Sequence, residues 1–255
     1  MKLSELLDEL RDGILHDVSN QIAGASDYLW TDARLVRYIN EAQRRFARLS
    51  LTIRDATTPE VCNVVLRAGQ SQYDLHPSVL AVISARKDGD NADLVRAGHT
   101  VFDTYRTPDP LYFDPSSLAA VPPGKPIAYS TDEALLVDDD GQNSTMSMRI
   151  YPAPSTTYDK QVVRLRVIRL PLNDLIPQRM NAVPEVPTSF HLDMLDWAAY
   201  LALRKVDTDA GNPDMAAAFK KSFGEHVASA KREMMRKLFA PMQFGFGRGG
   251  WSWER

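Results

Sequence analysis

The chain's clearest periodic segment is a long amphipathic helix between Leu29 and Leu49, and it sets the width of any domain that contains it. Thr31 or Asp32 is expected to cap the first turn, and Trp30 is expected to pack back onto that turn. A helix of this length spans about 30 Å, the diameter of a small domain. Its apolar positions recur every three or four residues, as on one face of an α-helix: Leu35, Ile39, Ala42, Phe46 and Leu49.

The opposite face of this helix is basic, and two interpretations of it stay open. One is a nucleic-acid contact. The other is a solvated face on which pairs such as Arg37 with Glu41 and Glu41 with Arg45 support the helix. The solvated face is favoured because long charged side chains usually cover an exposed helix. The basic residues are Arg34, Arg37, Arg44, Arg45 and Arg48.

Composition narrows the class of protein. A chain of 255 residues can bury a substantial core, and its formal net charge of -3 gives no global bias toward DNA or acidic membranes. No segment approaches the roughly 20 apolar residues of a membrane span, and acidic residues among the first ten argue against a signal peptide. The single cysteine, Cys62, is expected to pack as a small hydrophobic residue in a strand. We expect a soluble protein made in a reducing compartment.

Helices are predicted at both ends of the sequence. The first runs from Leu3 to Asp17 and is expected to be capped by Ser4. Near the other end, helices over Phe190 to Val206 and Pro213 to Phe239 are joined by a short loop, which predicts an antiparallel hairpin. Ser189 and Asn212 are the expected caps, and the first helix of the hairpin has its apolar face at Leu192, Leu195, Ala199, Ala202 and Val206.

The middle of the chain has the two-residue period of strands. A turn is expected at Lys87–Asp90, helical turns over His99–Arg106 and a proline-rich loop over Pro108–Pro126. Many short strands separated by turns predict a compact antiparallel sheet, a sandwich or a partly open barrel. The expected strands are Val61–Leu66, Gln72–Leu75, Val79–Lys87, Ile127–Thr131, Ala134–Val137, Met146–Tyr151 and Gln161–Leu170.

These patterns predict an α+β fold in which both chain ends build one helical bundle. The bundle would comprise residues 1–58 and 176–240, with a β-rich domain inserted at 59–175 and an extended C-terminal arm at 241–255. The arm is rich in glycine and contains four large aromatic residues, whereas disordered tails are usually poor in them. Four buried rings would supply about 600–1,000 Å², close to one partner's share of a standard interface. The alternative is a tail that folds back on its own domain.

Motifs for catalysis and cofactor binding are weak. Gly245, Gly247 and Gly250 match a dinucleotide-binding pattern, but no strand precedes them and no helix follows. Asp138–Gly141 is typical of a turn rather than a calcium loop. Glu225, His226 and Asp193 could form an acid/base cluster, although nothing in their spacing selects them. We therefore expect no enzyme activity, no metal and no cofactor.

Several short motifs resemble tailed-bacteriophage head-to-tail adaptor proteins, which are portal-binding connectors. In that family a Trp-Ser/Thr-Asp start leads into a helix with Tyr-Ile-Asn-Glu-Ala, as in Trp30–Arg45 here. The second half follows the same order. Its matching segments are Arg169–Pro171, Ile176–Pro177, Phe190–His191, Tyr200–Leu203, Asp207–Asp209, Asn212–Pro213 and Ala216–Phe219.

The resemblance implies a structural virion protein in the neck between head and tail, made in the bacterial host cytoplasm. It implies a homo-oligomeric ring, typically of twelve copies, beneath the portal protein. Such a ring extends the channel for double-stranded DNA, without sequence-specific binding, and receives tail or nozzle proteins; no membrane is involved. Two sets of residues are hypotheses for these contacts: a portal-binding arm (Met242, Phe244, Phe246, Arg248, Trp251 and Trp253) and a ring-packing helix (Arg34, Arg37, Glu41, Arg44, Arg45 and Arg48).

Two other classes remain open from the sequence. One is a nucleic-acid-binding module that uses the arginine helix and the Phe-Gly-Arg-Gly-Gly tail. The other is an enzyme whose site is not recognisable in the sequence.

Overall fold

The structure is a computed structural model, and it describes residues 1–17, 28–97, 122–132, 146–204 and 212–238. Helices and two small sheets give an α+β fold, as the sequence predicts. The buried hydrophobic residues form two clusters, one among the helices and one between the sheets. We call these clusters the helical core and the β core.

The helices lie in the first 62 residues and after residue 190. α1 comprises Leu3–Asp8 and continues as a π-helical segment, Glu9–Ile14. The remaining helices are α2 (Asp32–Ser50), α3 (Pro59–Cys62), α4 (His191–Leu203) and α5 (Pro213–Leu238). Short 3-10 turns at Thr156–Tyr158 and Thr188–Phe190 complete the helical elements of the described chain.

Residues from both halves of the sequence contribute to the helical core. It extends from Leu3 to Ile53 and again from Leu175 to Met234. The ring of Phe46 on α2 lies 5.6 Å from that of Phe190 and 6.0 Å from that of Phe223 on α5. Trp197 on α4 lies 5.1 Å from Phe223, so α2, α4 and α5 share one aromatic cluster.

The strands form two four-stranded sheets. In the first sheet, β8 (Val162–Arg169) pairs antiparallel with β1 (Arg54–Asp55), β2 (Asn63–Val65) and β4 (Val79–Lys87). The second sheet has the order β3-β7-β6-β5, in which only β5 and β6 run parallel within the described chain. Its strands are β3 (Gln72–Asp74), β5 (Val95–Arg96), β6 (Ala128–Asp132) and β7 (Ser147–Tyr151).

Several predicted helix starts are wrong in detail because backbone groups replace the expected side-chain caps. Ser4 does not cap α1, whose N-cap residue is Lys2. The amides of Leu3 and Ser4 donate instead to the carbonyl oxygens of Ala182 and Met180. Likewise, Ser189 lies inside the 3-10 turn that leads into α4.

The caps of the two long helices differ from each other. Thr31 is the N-cap residue of α2, but its side chain makes no capping hydrogen bond. Asp32 does not cap the helix either, because its carboxylate accepts from Arg11 at 2.6 Å. The predicted cap of α5 is confirmed, since the Asn212 side chain accepts from the amide of Met215 at 3.1 Å.

Other differences concern individual apolar residues. Cys62 is buried as predicted, but it ends a short helix rather than lying in a strand. Burial raises the pKa of its thiol to about 11. Leu49 and Leu192 were expected on buried helix faces, yet they are 39% and 53% exposed. In both cases the packed face is narrower than the apolar stripe of the sequence.

Most of the strand predictions agree with the structure where it describes the chain, but the predicted strand Val61–Leu66 is observed only as Asn63–Val65, and β1 and β5 were not predicted. β4 has the predicted bounds, and the predicted turn at its end is confirmed by Gly89, whose φ of 82° favours glycine. The predicted features at His99–Arg106, 108–121, Ala134–Val137, Asp138–Gly141, Val206 and 241–255 lie outside the described residues.

Candidate functional site

The exposed face of α2 carries the residues that the sequence assigned to ring packing. Arg34, Arg37, Glu41 and Arg48 are exposed, and they follow one another at intervals that keep them on one side of the helix. The opposite side of α2 is buried in the helical core. The amphipathic pattern therefore leaves this basic face available for contacts outside the helical core.

The other two arginines of α2 are engaged within the subunit. Arg44 forms an exposed ion pair with Asp174, with a 2.6 Å hydrogen bond from Nη2 to Oδ1. The half-buried Arg45 places its guanidinium carbon 3.9 Å from the ring centroid of Trp197. The predicted pairs of Glu41 with Arg37 and Arg45 are wrong, since the described part of the chain contains neither ion pair. Stacking on Trp197 directs Arg45 away from Glu41.

Two polar residues on the buried side of α2 hold the segment that returns from the sheets. Asn40 makes a pair of 2.8 Å hydrogen bonds with the backbone of Leu175, donating to its carbonyl oxygen and accepting from its amide. The side-chain oxygen of Gln43 accepts from the amide of Glu185 at 2.9 Å. Polar residues at buried helix positions are the signal in the sequence, but apolar periodicity does not select them.

A charged network of Asp55, Arg169 and Glu185 lies where β1 and β8 meet this returning segment. Nε of Arg169 donates to Asp55 at 2.7 Å, and Nη1 donates to Glu185. The backbone amides of Leu172 and Asn173 also donate to Glu185, each at 2.9 Å. Every member is therefore hydrogen-bonded, which is the condition under which buried charges are tolerated.

The network shifts the pKa of each member in the direction that favours its charged form. Burial opposes the charge on Asp55, but hydrogen bonds from Thr58, Thr57 and Arg169 hold the pKa of Asp55 well below its usual range. Burial is likewise outweighed at Glu185, where the Arg169 hydrogen bond lowers the pKa. Burial opposes the charge on Arg169 as well, but its hydrogen bonds to Glu185 and Asp55 outweigh burial and raise the pKa of Arg169. All three groups are charged in the folded protein at neutral pH.

This network lies at the boundary between the two cores. Asp55 and Arg169 end strands of the first sheet, whereas Glu185 is tied to α2 through Gln43. Arg54 adds a second connection, since its Nη2 donates to the carbonyl oxygen of Met234 on α5 at 2.8 Å. These contacts fix how the first sheet is attached to the helices.

Comparison with known families identifies the class of this chain. The family model described as SU10 adaptor protein matches residues 1–243. The chain belongs to this family of phage head-to-tail adaptors. The resemblance noted in the sequence is thus confirmed, and a structural adaptor role follows from it. No curated protein matches the chain.

The predicted portal-binding residues of this SU10-family adaptor lie outside the described residues. They are Met242, Phe244, Phe246, Arg248, Trp251 and Trp253. The family match ends at residue 243, so five of these six residues lie beyond it.

None of the helices that the structure describes combines the length and the apolar character of a membrane span.

Of the possible acid/base cluster of Glu225, His226 and Asp193, the fold brings together His226 and Asp193. His226 on α5 lies between two carboxylates of α4, 3.3 Å from Asp193 and 3.5 Å from Asp196. Burial raises the pKa of Asp196. Glu225 is exposed and forms no ion pair in the described chain. The geometry fits a polar contact between two packed helices.

Proposed function

We propose that this adaptor forms a homo-oligomeric ring, typically of twelve copies, beneath the portal protein. The ring would extend the channel through which double-stranded DNA passes and would provide the docking platform for tail or nozzle proteins. The observation that carries the proposal is the family match over residues 1–243. The hydrogen bonds and ion pairs that attach the first sheet to the helices support it, because a platform must hold its parts in fixed positions.

We further propose that the protein has three functional parts. Residues 1–58 and 176–240 form the helical body, residues 59–175 form the β-rich domain, and residues 241–255 form the arm. Support comes from the helical core, which combines residues from both halves of the sequence, and from the separate β core. In this arrangement the helical body packs into the ring and the other two parts contact different proteins.

The exposed face of α2 is proposed to contact neighbouring subunits rather than DNA. Arg34, Arg37, Glu41, Arg44, Arg45 and Arg48 are the assigned residues, although Arg45 would contribute indirectly through its contact with Trp197. A channel that DNA slides through does not need strong phosphate contacts. Salt-sensitive DNA binding by the isolated protein, lost when Arg34 and Arg37 are replaced, would contradict this assignment.

The arm is proposed to bind the portal through its aromatic residues. The test compares the full chain with a variant that lacks residues 241–255, each mixed with the portal protein of the same phage. We expect the truncated protein to keep its circular dichroism spectrum and thermal transition but to lose binding to the portal. Electron microscopy of the mixtures shows whether a ring forms beneath the portal.

A second variant separates chain length from side-chain chemistry. It keeps residues 241–255 but replaces Phe244, Phe246, Trp251 and Trp253 with alanine. Loss of binding in both variants supports the aromatic arm, because the four aromatic side chains supply most of the apolar area that residues 241–255 can offer a partner. Equal portal binding by the full chain and the truncated protein would refute the arm, and absence of any ring on the portal would refute the adaptor ring.

A further inference from the structure

α1 presents an acidic face that no other part of the described chain neutralises. Glu5 and Asp8 on α1 and Glu9 and Asp12 on its π-helical continuation are all exposed, and they alternate along the chain with leucines that are buried. Those leucines belong to the helical core. No Lys or Arg side chain of the described residues forms an ion pair with any of the four.

α2 presents a face of net positive charge, on which Arg34, Arg37, Arg44 and Arg48 outnumber the acidic Glu41. Arg34, Arg37 and Arg48 are exposed, and in the described ranges none of them has a carboxylate partner. Arg44 is the exception on this face because it pairs with Asp174. Exposed apolar side chains precede and follow the row of arginines in the sequence, namely Leu29 and Leu49.

The two faces do not neutralise each other within one subunit. Among the described residues, the ion pair that joins α2 to α1 or its π-helical continuation is that of Arg11 with Asp32. Neither of these two residues belongs to the acidic face or to the basic face. One subunit therefore carries two separate, complementary surfaces on different helices. A contact between two different surfaces is heterologous, and its repetition closes into a ring when the rotation fits.

We infer that the acidic face of α1 in one copy docks against the basic face of α2 in the next copy. This inference rests on the proposed ring and names the partner surface of the α2 face. Opposite charges across the contact select its orientation and speed the encounter of two copies. They also make the contact sensitive to salt, because exposed charges are screened over about 10 Å at 0.1 M ionic strength.

The test uses two variants that reverse one face each. The first carries Asp8→Lys and Asp12→Lys, and the second carries Arg34→Glu and Arg37→Glu. We expect each variant alone to assemble at least about tenfold more weakly than the wild-type chain, because like charges face each other. An equimolar mixture should assemble again, since every contact in an alternating ring then joins opposite charges.

The measurement is particle mass, by mass photometry or sedimentation, with and without the portal protein. A matched control carries Lys231→Glu and Arg232→Glu on the exposed side of α5, and it should assemble like the wild type. Circular dichroism must show that all variants are folded. Restored assembly in the mixture, and weaker wild-type assembly in high salt, support the inference.

Two results would overturn the inference in distinguishable ways. If the wild type forms rings but the single-face variants assemble equally well, or the mixture stays dissociated, the α1–α2 contact is wrong and the ring stands. If the wild type remains a monomer at low salt even with portal present, the proposed ring itself is wrong.

Discussion

Asp55 is the residue whose protonation should lower the stability of the folded protein as the pH falls. Its carboxylate is buried, accepts from Thr57, Thr58 and Arg169, and has a pKa well below the usual value of about 3.9. A group whose pKa falls on folding stabilises the protein above its unfolded pKa, and this contribution disappears as pH falls toward the folded pKa. Glu185 acts in the same direction.

We predict that Asp55→Asn lowers the free energy of unfolding at neutral pH by about 2–3 kcal/mol, because Arg169 loses a charged partner at a buried site. The wild type should lose stability steeply below about pH 5, whereas the variant should lose less over the same range. Urea unfolding followed at several pH values measures both effects. The control Asp174→Asn removes an exposed ion pair and should change stability by less than about 1 kcal/mol. Parallel pH profiles of Asp55→Asn and the wild type would contradict the assignment.

At the scale of the element, α2 shows how one helix uses the same residue type in two ways. Arg45 is half-buried and stacks on Trp197, whereas Arg37 is exposed and has no ion-pair partner in the described chain. Arginine covers apolar surface with its methylene groups and interacts with aromatic rings through its guanidinium. The two side chains therefore contribute differently to the helical core.

We predict that Arg45→Ala lowers the free energy of unfolding by about 1–2 kcal/mol, since both the stacking and the buried methylene groups are lost. Arg37→Ala, the matched control on the same helix, should change it by no more than about 0.5 kcal/mol. Chemical denaturation with Trp fluorescence measures both variants. Arg37→Ala should instead weaken ring assembly if the α2 face is an interface. Equal losses of stability in the two variants would show that the Trp197 contact adds nothing.

Elements whose period is set by burial could be predicted from the sequence. α2 and β8 match closely because one side of each faces a core, and periodicity reports that directly. The predicted caps Ser4 and Ser189 are wrong for two different reasons. The first amides of α1 donate to backbone carbonyl oxygens that are distant in the sequence, and Ser189 lies inside the 3-10 turn that precedes α4. Leu192 follows the helical period yet lies outside the packed face. Period alone does not give the width of that face.

The residues of the candidate site also differ in whether the sequence predicts them. The exposed arginines of α2 could be predicted because charge on a periodic face is visible in the sequence. Asn40 could only be noted as part of a motif, since its partner Leu175 lies 135 positions away. The Asp55–Arg169 pair joins residues 114 positions apart, and only the sheet register brings them together. Long-range polar contacts leave no periodic signal in a sequence.

At the scale of the whole molecule, the chain leaves the helical core and returns to it at adjacent points. Ile53 belongs to the helical core, and its carbonyl oxygen accepts from the amide of Arg169 at 3.0 Å. Two residues further on, Asp55 pairs with Val167 across β1 and β8. The intervening segment starts and ends at one place, which supports the proposal that it is an inserted domain.

This geometry predicts that the helical body folds without the β-rich domain. Replacing residues 56–166 with Asn-Gly joins Asp55 to Val167 through a two-residue turn suited to antiparallel strands. We expect a helical circular dichroism spectrum and cooperative thermal unfolding, because Phe46 and its aromatic partners lie wholly among the helices. Phe46→Ala should then cost about 3–5 kcal/mol in the shortened and the full chain alike, since Phe46 packs in the helical core and not in the β core. Non-cooperative unfolding of the shortened chain would mean that the helices depend on the sheets and that the β-rich part is no separate domain.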